Sequence, residues 1–219
     1  HDGLLLLDTM SIDTASNRWS LDTMSSPNPD TRQKILQAAA DLLSEGSGTG
    51  VRMSDIAKRA GISRQAVYLH FANRADLLIG ATFYVDELKD SDARLAPSRA
   101  AKTGRERLDA FIEAWAGYLP EIYPIGRALI DMSPTDEEAR SAWAQRMQDM
   151  REGCEAAINA LKRDGDLAPG MPAPQATDLL WTLLLLPNWE HLTQTCGWSQ
   201  KQYLKHITAT ARRLFVMDA

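Results

Sequence analysis

GVRMSDIAKRAGISRQAVYLHFANR, residues 50–74, decides the fold of this chain. It reads as a short helix, a glycine-containing turn and a second helix that starts on a polar cap and ends on an aromatic anchor. The first helix is predicted over Met53–Ala60, with Ile56 and Ala57 facing inward and Gly61 terminating it. The second is predicted over Ser63–Phe71, with Ser63 as its cap. Two helices joined by so tight a turn look like a DNA-reading helix-turn-helix.

The second helix can be read by angle, at about 100° per residue from Arg64. Val67 and Phe71 then share one face and anchor the helix, with Ile62 and Leu77 as neighbours. The opposite face holds Gln65 and Leu69, with Ala66 beside them. Arg64 and Tyr68 flank it on one side and His70 on the other. This layout suits a major groove. Gln65 is placed to bond an adenine edge, and Ala66 or Leu69 to touch a thymine methyl. Arg64, Tyr68, His70 and the Ser63 hydroxyl are placed to grip phosphate. Each residue also has a plainer reading: Tyr68 as a surface tyrosine packing on the helix that begins near residue 30, Arg64 as a solvated charge, His70 as the cap of a carbonyl.

The wider block resembles the N-terminal DNA-binding domain of TetR-family transcriptional regulators. The strings that carry the resemblance are TRQKILQAAADLL, SDIAKRAGIS and AVYLHFANRADLL, within residues 30–79. The rest of the chain matches more loosely, through length and helical layout. The resemblance implies that Tyr68 and His70 grip phosphate and that Arg74, just after the YxHF string, does the same. It implies a helical C-terminal domain holding a ligand pocket and a dimer interface. Three positions depart from the family pattern. Arg52 stands where a capping threonine usually opens the first reading helix, so the cap there passes to another group. Ser54 stands where a DNA-contacting basic residue is frequent. Gln65 replaces a common glycine or proline and is expected to help set operator choice.

Composition agrees with an all-α protein. Helix formers dominate, and alternating β-branched runs are nearly absent. The 219 residues carry a net charge of −5, which excludes a protein basic throughout. Only residues 30–79 are net basic, with seven positive and five negative side chains; local positive charge is what meets phosphate. Cys154 and Cys196 lack CxxC spacing and suit a reducing compartment. Leu4–Leu7 is too short for a signal peptide, and no run approaches a membrane span. A cytoplasmic protein without cofactor or metal is expected, and His191 and His206 form no metal pattern.

Along the chain, residues 1–28 read as a polar tail, native or added, with Met24 as a natural beginning. Residues 29–79 form the expected DNA-binding domain and 80–219 the ligand-binding and dimerisation domain. A first helix starts near Asp30 or Thr31 and ends at Gly46, Gly48 and Gly50. A fourth, capped by Asn73, reaches about Ala93. Residues 95–104 read as a linker. Helices follow at about 105–119, stopped by Pro120, a short segment at 122–132, then 135–163, 175–196 and 199–216, the last capped by Ser199.

The C-terminal half holds five of the six tryptophans and most methionines. Such adaptable, aromatic surfaces suit pockets for apolar or aromatic small molecules. The candidate lining is Phe111, Trp115, Tyr118, Trp143, Met147, Met150, Trp181 and Trp189; the same stripes at helical spacing also read as core. Glu113 and Glu190 read either as partners of a cationic ligand or as solvated carboxylates. The last two helices are the expected homodimer interface, with Tyr203, Ile207, Thr210, Ala211 and Leu214 as the contact stripe. The expectation is a homodimeric repressor of a palindromic operator, released by an apolar or aromatic effector. A transcriptional activator of the same fold and a helical interaction adaptor without DNA binding are the alternatives. A helical enzyme is the other rival, and no nucleophile–base motif, metal spacing or phosphate loop supports it.

Overall fold

The computed structural model describes residues 29–46 and 51–217; the predicted tail, Gly48 and Gly50 lie outside them. The described residues are all-α apart from one isolated bridge, Leu167 to Val216. In chain order the helices are α1 (Pro29–Ser44), α2 (Met53–Ala60), α3 (Arg64–Tyr68), α4 (Arg74–Leu88), α5 (Ser91–Ala100), α6 (Gly104–Met132), α7 (Glu137–Asp164), α8 (Ala173–Leu183), α9 (Leu186–Glu190) and α10 (Gln200–Phe215). A π-helical turn, His191–Thr195, extends α9.

Two apolar cores organise these helices. The first joins Ile35, Leu43, Ile56, Val67, Phe71 and Leu77 from α1 to α4. Ile125 and Leu129 of α6 and Ala139 and Ala142 of α7 complete it. The second packs α6, α7, α8 and α10 around Leu108, Ile112, Leu119, Ile158, Tyr203 and Phe215. The reading domain therefore rests on the long helices that also build the second core.

Residues 95–104 are not a linker. α5 spans Ser91–Ala100 with Pro97 inside it. The buried Ser98 hydroxyl donates to the Arg107 carbonyl at 3.2 Å, tying α5 to α6. α4 ends at Leu88, short of Ala93, because Asp90 turns left-handed at φ 53° and starts a new helix. Asp is one of the few residues that takes this conformation readily.

Pro120 does not stop a helix. α6 runs through both Pro120 and Pro124 to Met132. A proline inside a helix leaves the carbonyl four residues back without its donor. For Pro120 that carbonyl belongs to Ala116, and it accepts 2.7 Å from Nε2 of Gln200, at the start of α10. Burial of Leu119 and Ile125 on either side holds the helix together. The predicted helix 175–196 divides into α8, α9 and the π turn, with Pro187 in the first turn of α9.

Candidate nucleic-acid interface and helical cavity

Gly61 ends α2 at φ 71°, and its amide turns back to the Ala57 and Lys58 carbonyls. Only a residue at ease in the left-handed region closes the turn so tightly. The Ser63 hydroxyl then accepts from the Ala66 amide at 3.1 Å and starts α3. Asn73 starts α4 by accepting from the Asp76 amide at 2.8 Å. These two caps fix the entry and exit of the reading helix.

α3 buries little beyond Val67, which is fully enclosed, while Phe71 anchors the segment after it. The far side faces solvent: Leu69 is 72% exposed and Tyr68 43%. Ser63, Arg64 and Gln65 are exposed, and Ala66 and His70 are half-buried. Arg64 reaches the Tyr68 hydroxyl at 3.3 Å and lies 5.6 Å from its ring centre. The predicted base-facing and flanking groups are thus brought onto one open surface. Leu69 and Tyr68 stand open beside the exposed Arg64 and Gln65, on a helix seated by Val67.

Arg52 stands at the N-cap of α2 and makes no side-chain cap; its backbone carbonyl accepts from the Asp55 and Ile56 amides. Arg52 and Ser54 are exposed and line one cleft with Arg64, Tyr68 and Arg74.

Arg74, expected at a DNA phosphate, has its guanidinium turned inward in this conformation. Nη1 lies 2.7 Å from Asp136 and 3.2 Å from Glu138, Nε donates to the Val51 carbonyl, and the side chain is 13% exposed. Asp136 sits at the start of α7, where it also caps the Glu138 and Ala139 amides at 3.1 Å. Carboxylates from the C-terminal half thus occupy the charge expected for DNA.

A cavity of about 590 Å³ lies between α4, α5, α6 and α7 and reaches Arg32 and Leu36 of α1. Phe111, Trp115, Tyr118 and Met150 line it, as predicted from the apolar stripes. Trp143, Met147, Trp181 and Trp189 do not. Trp143 lies about 10 Å along α7 from Met150, where Gly126 and Leu186 close over it. Met147 and Trp181 pack on the second core. Trp189 is buried, donates its indole N–H to Gln200 at 2.7 Å and tilts against Tyr123. Periodicity identifies the face of a helix, but not where along its axis the neighbours part.

The charged part of the cavity was missed. Arg146 bonds Asp86, reaches Asp149 at 3.1 Å and lies over Phe83 at 4.8 Å. The Tyr118 hydroxyl donates to Asp86 at 2.8 Å. Burial pushes the Asp86 carboxyl above its ordinary range despite the pull of Arg146 and Tyr118. Burial, with the Asp86 carboxylate, pushes the Tyr118 phenol up as well. Glu190, an open choice in the sequence, is engaged by Tyr123 at 2.6 Å and Arg127 at 3.0 Å.

The predicted stripe on α10 also needs correcting. Tyr203, Ile207 and Ala211 are buried within the chain, in the second core. The exposed apolar side chains at this end are Leu179 of α8 and Leu214 of α10. Among the described residues no helix is long and apolar enough to cross a membrane.

A capped helix-turn-helix seated on a larger helical body defines the class of helix-turn-helix transcription regulators. Residues 35–81 match the family model of bacterial regulatory proteins, tetR family. The chain is 34% identical over 64 residues to the nucleoid occlusion factor SlmA of Marinomonas sp., across 29% of this chain and 32% of that protein. It is 42% identical over 48 residues to the HTH-type transcriptional regulator AcrR of Shigella flexneri, across 22% of each. These matches span a third or less of the curated relatives. The crystal structure of NalD, the secondary repressor of the MexAB-OprM multidrug efflux pump in Pseudomonas aeruginosa, superposes with a TM-score of 0.63 at 28% identity. That superposition covers 86% of this chain and 97% of NalD. Residues 35–81 thus carry the DNA-binding domain of the TetR family of bacterial regulatory proteins, and the likeness in fold to NalD extends over most of the chain.

Proposed function

We propose that this chain is a homodimeric repressor that binds a palindromic DNA operator through α3 and is released by a small molecule in the cavity. The observation that carries the reading is the open face of α3, with Leu69 72% exposed beside the fully buried Val67. Gln65, Ala66 and Leu69 read base edges. Arg64, Tyr68, His70 and Ser63 hold phosphates and set the register, and Arg52 and Ser54 extend that grip from the start of α2. Repression is favoured over activation by the likeness to NalD, a repressor along nearly its whole length. The second copy docks on the α8 and α10 end, where Leu179 and Leu214 lie open. A two-fold there sets two reading helices about one DNA turn apart.

The cavity abuts α4, and α4 begins at Arg74. Effector binding favours the conformer in which Asp136 and Glu138 hold Arg74; DNA favours the one in which Arg74 meets a phosphate. Each ligand then weakens the other by the same factor.

The test starts from duplexes selected out of a randomised pool and titrated by fluorescence anisotropy at two salt concentrations. Binding weakens with salt, because phosphate contacts release counterions. Tyr68→Ala weakens binding to every duplex. Gln65→Ala relaxes preference at one base pair of each half-site, by about 1–3 kcal/mol if the contact is bidentate. Selection of no duplex, or unchanged affinity and preference in both variants, would sink the reading.

A further inference from the structure

Among the described residues, Arg107 is a half-buried guanidinium of the cavity wall that no carboxylate or aromatic ring of the protein answers. Asp86 and Asp149 are met by Arg146, and Asp92 by Arg99 at 2.6 Å. Arg94 is held 2.6 Å from Glu121. Arg32 lies over the Phe71 ring at 5.0 Å. Arg107 lines the same cavity, is half-buried, and has no carboxylate within ion-pair distance among the described residues. Its backbone carbonyl is fixed by Ser98, so the side chain is held at this end of the cavity.

Burial and the neighbouring Arg163 both press against the charge of Arg107. A guanidinium cannot relieve this by losing its proton, so its relief is an anion. The carboxylates of the cavity that lack an ion pair are placed differently. Glu87 and Asp90 are exposed to water, and Glu152 accepts from Gln148 at 3.2 Å.

From Arg107 the wall turns apolar. Phe111, Trp115 and Tyr118 follow along α6, and Arg107 to Tyr118 is about 16 Å of helix. Leu95 and Met150 line the same space. Gly153 makes room for this wall: a Cβ there would stand 2.5 Å from the Phe111 ring.

We propose that the cavity takes an anionic amphiphile, a small molecule with a single carboxylate-like head at Arg107 and an elongated apolar body along Phe111, Trp115 and Met150. The proposal rests on the cavity being the effector site and adds the chemical class. The apolar stripes alone implied an apolar or aromatic ligand; Arg107 specifies the head.

Three probes of one chain length separate the possibilities: decanoate, 1-decanol and decyltrimethylammonium, each below its micellar concentration. Binding to the full chain is read by calorimetry, without DNA. Decanoate is expected to bind at least about tenfold more tightly than decanol, as a charge-assisted hydrogen bond implies, and the ammonium more weakly than either. Arg107→Gln brings decanoate down to the level of decanol and leaves decanol unchanged, while Arg107→Lys keeps the preference for the acid. Tighter binding of the ammonium, equal binding of all three probes, binding of none, or an undiminished preference in Arg107→Gln each overturns the proposal. The ranking on the unaltered chain stands even if a variant misfolds. Failure here leaves the DNA reading intact. Decanoate binding without DNA release would instead overturn the effector reading and leave this assignment standing.

Discussion

Arg52 opens α2 without bonding to it. Its carbonyl takes the Asp55 and Ile56 amides, and its guanidinium is left exposed beside Ser54. A threonine there would add a side-chain cap. Arg52→Thr is therefore expected to raise stability to denaturant by about 1 kcal/mol. If Arg52 meets a phosphate, the same change lowers the salt slope of DNA binding by about one. Stability without a cap gain, measured by urea unfolding, would show the site cannot accept one. Residues like this are legible in sequence because their partners lie within a few positions: Ser63 with Ala66, Asn73 with Asp76, Gly61 with Ala57. Arg74 was not legible in the same way. Its partners Asp136 and Glu138 lie more than sixty positions on, and no local pattern marks them. The apolar stripes do not mark Arg107, and an unpaired charge becomes informative only once every possible partner has been placed.

Helices seldom meet more closely than α6 and α7 do at Gly104. A Cβ on Gly104 would stand 2.5 Å from the Leu161 amide nitrogen, which belongs to the backbone and cannot swing aside. Gly104→Ala is expected to cost about 1–3 kcal/mol by overpacking, measured as a lower midpoint of urea unfolding. An unchanged midpoint would mean the two helices can part there freely. Thr103 and Glu106 form a reciprocal cap just before this contact, each reaching the other's backbone amide at 3.2 Å. Element boundaries divide along similar lines. Caps such as Ser63, Asn73 and Ser199 mark helix starts in the sequence. Prolines misled it, since Pro97, Pro120 and Pro124 all lie inside helices. Their cost is local, whereas the packing that outweighs it is tertiary.

Across the whole molecule, the reading domain and the helical body share one core and one ion-pair cluster. If Asp136 and Glu138 compete with DNA for Arg74, then Asp136→Asn with Glu138→Gln frees the guanidinium. Asparagine keeps the cap on α7. DNA affinity should rise, with the salt slope steeper by about one per subunit, read by anisotropy at several salt concentrations. Unchanged affinity and slope would show that Arg74 serves only to hold the two halves together. Pro120, inside α6, extends the same logic to assembly. The Ala116 carbonyl it orphans is buried, and its partner is Gln200, on the helix proposed to meet a second copy. Leaving that carbonyl bare costs about 1–3 kcal/mol. The posture of the cavity helix and the seating of α10 are therefore one equilibrium. Whatever steadies α10 from outside also steadies the cavity wall, so the proposed second copy would be felt where the proposed effector binds.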